Sequence, residues 1–476
     1  MPRLYRGVGR AQALIAALAA LVLAAAAGPA LAQMPNDQPD KTLQTVNALL
    51  DGHAGKTVHL ILVHGIRTAD RHTWDGFRAK LCKHLAAPHQ CADGPPTTST
   101  TERLILAKTR PAGSFLGRPI WKSDEEFAGS QPFVDHWDFL LKDNTHLILD
   151  EVNWWPLALA LKCQFLIADE TDLAGVDKDN IGNCTDESEL HYPWFTRQEA
   201  QDLESAHRIS GGAPLLNRIL KTEILDWGIS DAVLSLGTMK GLLRETIRCA
   251  FDDVVVPRNR VYRGGDGQPG VYTCDNGATD TQEPAQSKVI APDLEPGSFV
   301  IASHSLGAFL LLDTFAAAAA DAGDSCQAAL KSPVDAYRAA KQASAPQAQG
   351  YVRNRYQSLC LALAGSNRLY FFANQFALLE LGRVQGVDGE SAGRTTIADA
   401  LGQWAAVPDG QTRRQVAAFS DPGDLLTFKV PPINGADIFN FYPHNDIHWL
   451  GLVEWPATAH TKYLINDDVL RVMFGK

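Results

Sequence analysis

At 476 residues and 45% hydrophobic side chains, the chain can bury one large core with insertions or about two or three smaller ones, which excludes a largely disordered polymer. The formal net charge of −11 comes without a basic stripe, which argues against nucleic-acid binding and against electrostatic attachment to anionic lipid. A neutral substrate meets no such objection.

The N-terminus has a basic stretch, MPRLYRGVGR, then an alanine- and leucine-rich run, then small residues at Ala30 and Ala32 around Leu31. This is the layout of a cleavable signal peptide over 1–32, leaving a mature domain over 33–476 and implying export to the periplasm or the medium. The alternative is an uncleaved anchor helix, since the uncharged run is long enough to span a bilayer. Gly28 and Pro29 before the site favour cleavage. Cleavage removes Arg3, Arg6 and Arg10 and no acid, taking the charge to −14.

Six short apolar runs follow, each read as a buried strand: 58–64, 146–152, 298–303, 368–374, 416–421 and 436–443. Helical patterns lie between several of them, notably after Ser305 and at the C-terminus. The fold class is therefore α/β, a mostly parallel sheet flanked by helices. The stretch from about 154 to 296 interrupts the alternation with a polar loop, a helix-rich region over 214–248 and a Gly/Pro/Asp-rich loop over 257–297. It is expected to form a partly helical cap beside the C-terminal edge of the sheet, or else a separate helical domain. Eight cysteines in an exported chain are candidates for disulfides. They fall into neighbouring pairs, Cys82/Cys91, Cys163/Cys184, Cys249/Cys274 and Cys326/Cys360, each expected to staple a local loop.

The segment SFVIASHSLGAFLLLDTF, 298–315, carries the chemistry. A strand ending at Ser303 and a helix from Ala308 would put Ser305 on the sharp turn between them, the setting of a nucleophile elbow, with Ser303 where the first glycine of G-x-S-x-G would stand. A hydrolytic serine needs a base, and the base needs a carboxylate to fix its orientation. Downstream, FSDPGDLLTF offers Asp421 and Asp424, and EWPATAHTKY offers His460, so the order is Ser, Asp, His. An oxyanion hole is available from the N–H groups of Ile66, after Gly65 in the turn VHGIRT, and of Leu306.

On VHGIRT, SHSLGA, SDPGD and AHTKY the chain resembles the α/β-hydrolase superfamily over roughly 57–476, and within it the secreted or membrane-associated lipase and esterase relatives, including inositol-deacylase-like and little-characterised bacterial branches. The resemblance implies an α/β-hydrolase fold and a serine hydrolase that cleaves a carboxylic ester through an acyl-serine intermediate. Ser305 would be the nucleophile, His460 the base and then acid, and Asp424 the orienting carboxylate, with Asp421 as the alternative in the same loop. No cofactor or metal is expected, and no nucleic-acid partner. The substrate would be a small-molecule or lipid ester, the latter bringing transient contact with a membrane. Amidase, thioesterase and phospholipid or inositol deacylase activities suit the same triad, and a non-catalytic binding scaffold is a reading from another class.

The remaining polar residues have plainer readings. His64 is expected to brace the oxyanion loop and His304 to pack or hydrogen-bond locally. His444 and His448 have metal-ligand spacing but lack the H-E-x-x-H glutamate, and are read as surface or supporting residues. DKDNIG, 177–182, is read as a solvated loop, because Ile181 and Ser188 stand where a calcium loop needs ligands. Asn374 and Gln375 either border the site or cap a helix. Arg67 is read as meeting an anionic group or forming a structural ion pair.

Overall fold

The computed structural model describes residues 36–38, 40–65, 74–97, 99–107, 110–111, 114–115, 118–167, 184–185, 193–206, 230–237, 239–255, 270–274, 295–322, 324–343, 356–381, 396–406, 412–445 and 456–476. Nine strands form one sheet: β1 Thr57–Val63, β2 Thr100–Ile105, β3 Phe133–Leu140, β4 His146–Asn153, β5 Gly270–Thr273, β6 Phe299–His304, β7 Arg368–Phe372, β8 Arg414–Phe419 and β9 Ala436–Phe441. Their spatial order is β9-β8-β7-β6-β1-β4-β3-β2-β5. All neighbours pair in parallel except at β3, which runs against both β2 and β4. All six expected strands are present, and β2, β3 and β5 are additional.

The two faces of the sheet build two cores, because successive side chains of a strand point to opposite sides. From β1, Val58, Leu60 and Leu62 join one core with Val300 and Ala302 of β6, while Ile61 and Val63 join the other with Phe299 and Ile301. The first core contains residues of the helices Val46–Asp51, Asp75–His84 and Asp467–Phe474. The second contains residues of Lys240–Val255, Leu306–Ala322, Gln357–Gly365 and Ile397–Ala405. Burial on both faces explains why the central strands read as unbroken apolar runs.

Of the 154–296 segment expected as a cap, the described parts belong largely to these layers. Ile247, Ala250, Phe251 and Val254 share a core with Phe309 and Leu310, and β5 extends the sheet beside β2. The apolar stripe of Lys240–Val255 is therefore buried in the core shared with the Leu306–Ala322 helix and the sheet. The first part of the expected helical region, 214–229, and most of the 257–297 loop lie outside the described residues, as do 1–32 and 177–182.

The four expected cysteine pairs are the four disulfides formed, with Cα–Cα separations of 5.3 to 5.8 Å and no cysteine left free. They are compatible with an exported protein. Among the described residues, no helix is long and apolar enough to cross a membrane.

Candidate active site

Three loops at the C-terminal ends of β6, β8 and β9 converge on one point. Ser305 follows β6 directly and begins the turn into the Leu306–Ala322 helix, with φ 54° in the left-handed region that side chains other than glycine seldom adopt. Its amide donates to Phe372 O at 2.7 Å, tying the turn to the end of β7. Space for the turn comes from two glycines. A β-carbon on Gly307 would collide with the carbonyls of Val63 and His64, and one on Gly65 would collide with Ser305 and His304. The loop after β1 can thus pass directly against the turn that holds Ser305.

His460 lies on the short helix Pro456–Thr461, and its Nε2 is 2.8 Å from Ser305 Oγ. Its Nδ1 faces the Asp424 carboxylate at 3.0 and 2.9 Å from the two oxygens. The carboxylate requires a proton on Nδ1, which leaves Nε2 as the acceptor for the serine hydroxyl. Ser305, His460 and Asp424 are all buried. Asp424 also accepts from Tyr463 OH at 3.1 Å and from the Leu426 amide at 2.9 Å, so the carboxylate is fixed on several sides.

Asp421 points elsewhere. It accepts from the amides of Gly423 and Asn445, while Asn445 Nδ2 donates to Ala459 O at 2.6 Å, one residue before His460. It therefore clamps the loop carrying Asp424 to the segment carrying His460. Tyr463 joins the two acids, accepting from the Asp421 amide at 2.7 Å.

Two further histidines surround the group. His64 Nδ1 donates to Gly65 O at 2.6 Å, and its Nε2 accepts from the Trp154 amide at 2.9 Å, with the two rings stacked. His304 Nε2 donates to His460 O at 2.8 Å. Burial pushes His64 down to about 3 against the pull of the Gly65 carbonyl. Burial, then the neighbouring His460, brings His304 to about 3 as well. Both stay neutral near pH 7 and act as hydrogen-bonding struts.

Of the expected oxyanion donors, Leu306 opens the helix after Ser305, where a helix's first amides have no intrahelical acceptor. Gly65 lies against Ser305, and Ile66 lies outside the described residues, as do Arg67 and His448. His444 is exposed. Asn374 ties β7 to the loop after β8 through Nδ2 and Phe428 O at 2.6 Å. Gln375 has more to do with the site: its Nε2 donates to Ser305 Oγ at 3.0 Å. Tyr463, which sequence reasoning did not single out, follows His460 by three residues, and that spacing was the available signal. Among the described residues, no group of three or more His, Cys, Asp or Glu side chains could hold a metal ion.

The arrangement supplies a hydroxyl bonded to an imidazole whose other nitrogen is held by a carboxylate. Proton transfer from Oγ to Nε2 needs no rearrangement. Compared with known proteins, the chain matches no protein-family model, no curated protein and no solved structure.

Proposed function

We propose that the chain is an exported serine hydrolase of the α/β-hydrolase type, cleaving a carboxylic ester through an acyl-serine intermediate. The observation that carries this reading is the continuous bond chain from Ser305 Oγ through His460 to Asp424, at 2.8 Å and 2.9 Å, with Ser305 in a left-handed turn between strand and helix. Ser305 Oγ attacks the carbonyl carbon as its proton passes to His460 Nε2, and the carbonyl π pair moves onto oxygen. The Leu306 amide, with the Ile66 amide as the expected second donor, stabilises that oxyanion, an effect typically worth about 10²- to 10³-fold in rate per donor. Collapse breaks the bond to the leaving alkoxide, which takes the proton from His460 and departs as an alcohol. Water then attacks the acyl-serine with His460 as base, releasing the acid and restoring Ser305.

The four disulfides and the N-terminal pattern of 1–32 support export. The test is hydrolysis of short-chain p-nitrophenyl esters by the purified protein. Turnover is expected, with Ser305→Ala and His460→Gln each removing more than about 10³-fold of it. Equal turnover by wild type and Ser305→Ala would overturn the assignment.

A further inference from the structure

Ser305 Oγ receives two side chains, and only one of them belongs to the proton-transfer chain. The serine hydrogen goes to His460 Nε2, so the end of Gln375 that meets Oγ at 3.0 Å must be its amide nitrogen, donating to a serine lone pair. That orientation leaves Gln375 Oε1 beside the nucleophile. The residue is 1% exposed, and Oε1 has no hydrogen-bond partner among the described residues. A buried, unpaired carboxamide oxygen is costly unless something bonds to it. The backbone sets up this placement. Ala373, at φ 52°, turns the chain sharply after β7, and the Gln375 carbonyl accepts from the Leu379 amide at 3.0 Å, so the backbone opens the Phe376–Leu381 helix while the side chain faces Ser305.

We propose that Gln375 determines specificity: its Oε1 accepts a hydrogen bond from a hydroxyl or N–H that the substrate carries close to the carbonyl attacked by Ser305. This rests on the hydrolase reading above. The two ends of a carboxamide lie about 2.2 Å apart by ordinary amide bond lengths. Oε1 is therefore within about 5 Å of Oγ, while an attacked carbonyl carbon approaches to about 3–3.5 Å. A donor two or three bonds from that carbon spans the difference, which a plain alkyl acyl chain cannot do. The favoured substrates are 2- or 3-hydroxyacyl esters or their N–H-bearing counterparts.

The test uses p-nitrophenyl esters paired by shape, 2-hydroxypropanoyl against 2-methylpropanoyl and 3-hydroxybutanoyl against 3-methylbutanoyl. Each kcat/KM ratio is divided by the same ratio for hydroxide-catalysed hydrolysis, which removes intrinsic reactivity. The wild type is expected to favour the hydroxyl member of at least one pair by about ten- to a hundredfold. In Gln375→Met, whose fold is checked by circular dichroism, the preference should fall to near one. A normalised wild-type ratio near one for both pairs overturns the proposal even if the variant does not fold. So does a preference that survives in Gln375→Met. Wild-type protein that neither reacts with a fluorophosphonate nor turns over any ester overturns the hydrolase reading and this proposal together, whereas an adduct on Ser305 with no hydroxyl preference overturns this proposal alone.

Discussion

Replacing Asp424 by asparagine should abolish most activity without unfolding the protein. The Asp424 carboxylate accepts from three donors: His460 Nδ1–H at 2.9 Å, Tyr463 OH at 3.1 Å and the Leu426 amide at 2.9 Å. An asparagine can keep its oxygen on Leu426 only by turning its NH2 toward His460. Nδ1 must then become an acceptor, which moves the ring proton to Nε2, where it points at Ser305 Oγ and cannot receive the serine proton. A wrong-tautomer histidine of this kind costs about 10⁴-fold in turnover, or about 5 kcal/mol of barrier. Asp421→Asn serves as the internal control. Its side chain holds the amides of Gly423 and Asn445 and makes no bond to His460, so the variant should lose about 1–2 kcal/mol of stability and less than about tenfold in kcat/KM. The assay is kcat/KM on a p-nitrophenyl ester, with circular dichroism to confirm folding. The reasoning fails if Asp421→Asn costs as much activity as Asp424→Asn, or if Asp424→Asn stays within tenfold of wild type.

Acid should destabilise the fold through its buried neutral histidines. His64 and His304 are depressed to about 3, so the stability they contribute is fully present above their unfolded value near 6.5 and is lost as pH falls from there toward 3. From pH 7 to 5 this amounts to about 2 kcal/mol for each, and urea unfolding of His304→Asn should show about half the combined loss. Removing Cys326–Cys360, which are 34 residues apart, should lower stability by about 4 kcal/mol, against about 2.5 kcal/mol for Cys82–Cys91 at nine, if loop-closure entropy governs. Urea midpoints of the paired alanine variants would check that order. Ser303 Oγ is buried with no partner among the described residues, so Ser303→Ala should be neutral or raise stability by up to about 1 kcal/mol, read as an unchanged or higher melting temperature.

The strands legible in the sequence were those buried on both faces. β3 was not, because FVDHWDFL places Asp135 and His136 inside, and their partners Thr101, Asp150 and Asp253 come from β2, β4 and the Lys240–Val255 helix. β2, TTERLI, is interrupted by polar residues, and β5 has only four residues. For the site, chain order offered Ser305, an acid loop and His460, which the fold brings into one hydrogen-bonded chain, but spacing could not separate Asp421 from Asp424. Both lie in the turn after β8, and only side-chain direction distinguishes a clamp from a partner of the imidazole. Gln375 looked like a helix-capping or bordering residue, because nothing local reveals that the left-handed Ala373 turns the chain toward Ser305. What the helix Lys240–Val255 covers was not legible for a related reason: a helical pattern shows that one face is apolar, and only the tertiary fold shows what that face packs against.

The most direct test of the central claim is reaction of the purified protein with a fluorophosphonate, followed by peptide mapping, in wild type and Ser305→Ala. A stoichiometric adduct on Ser305, absent from the variant and slowed by Asp424→Asn, is the predicted result. A folded, disulfide-intact protein that takes no label, or takes it equally without Ser305, would contradict the account.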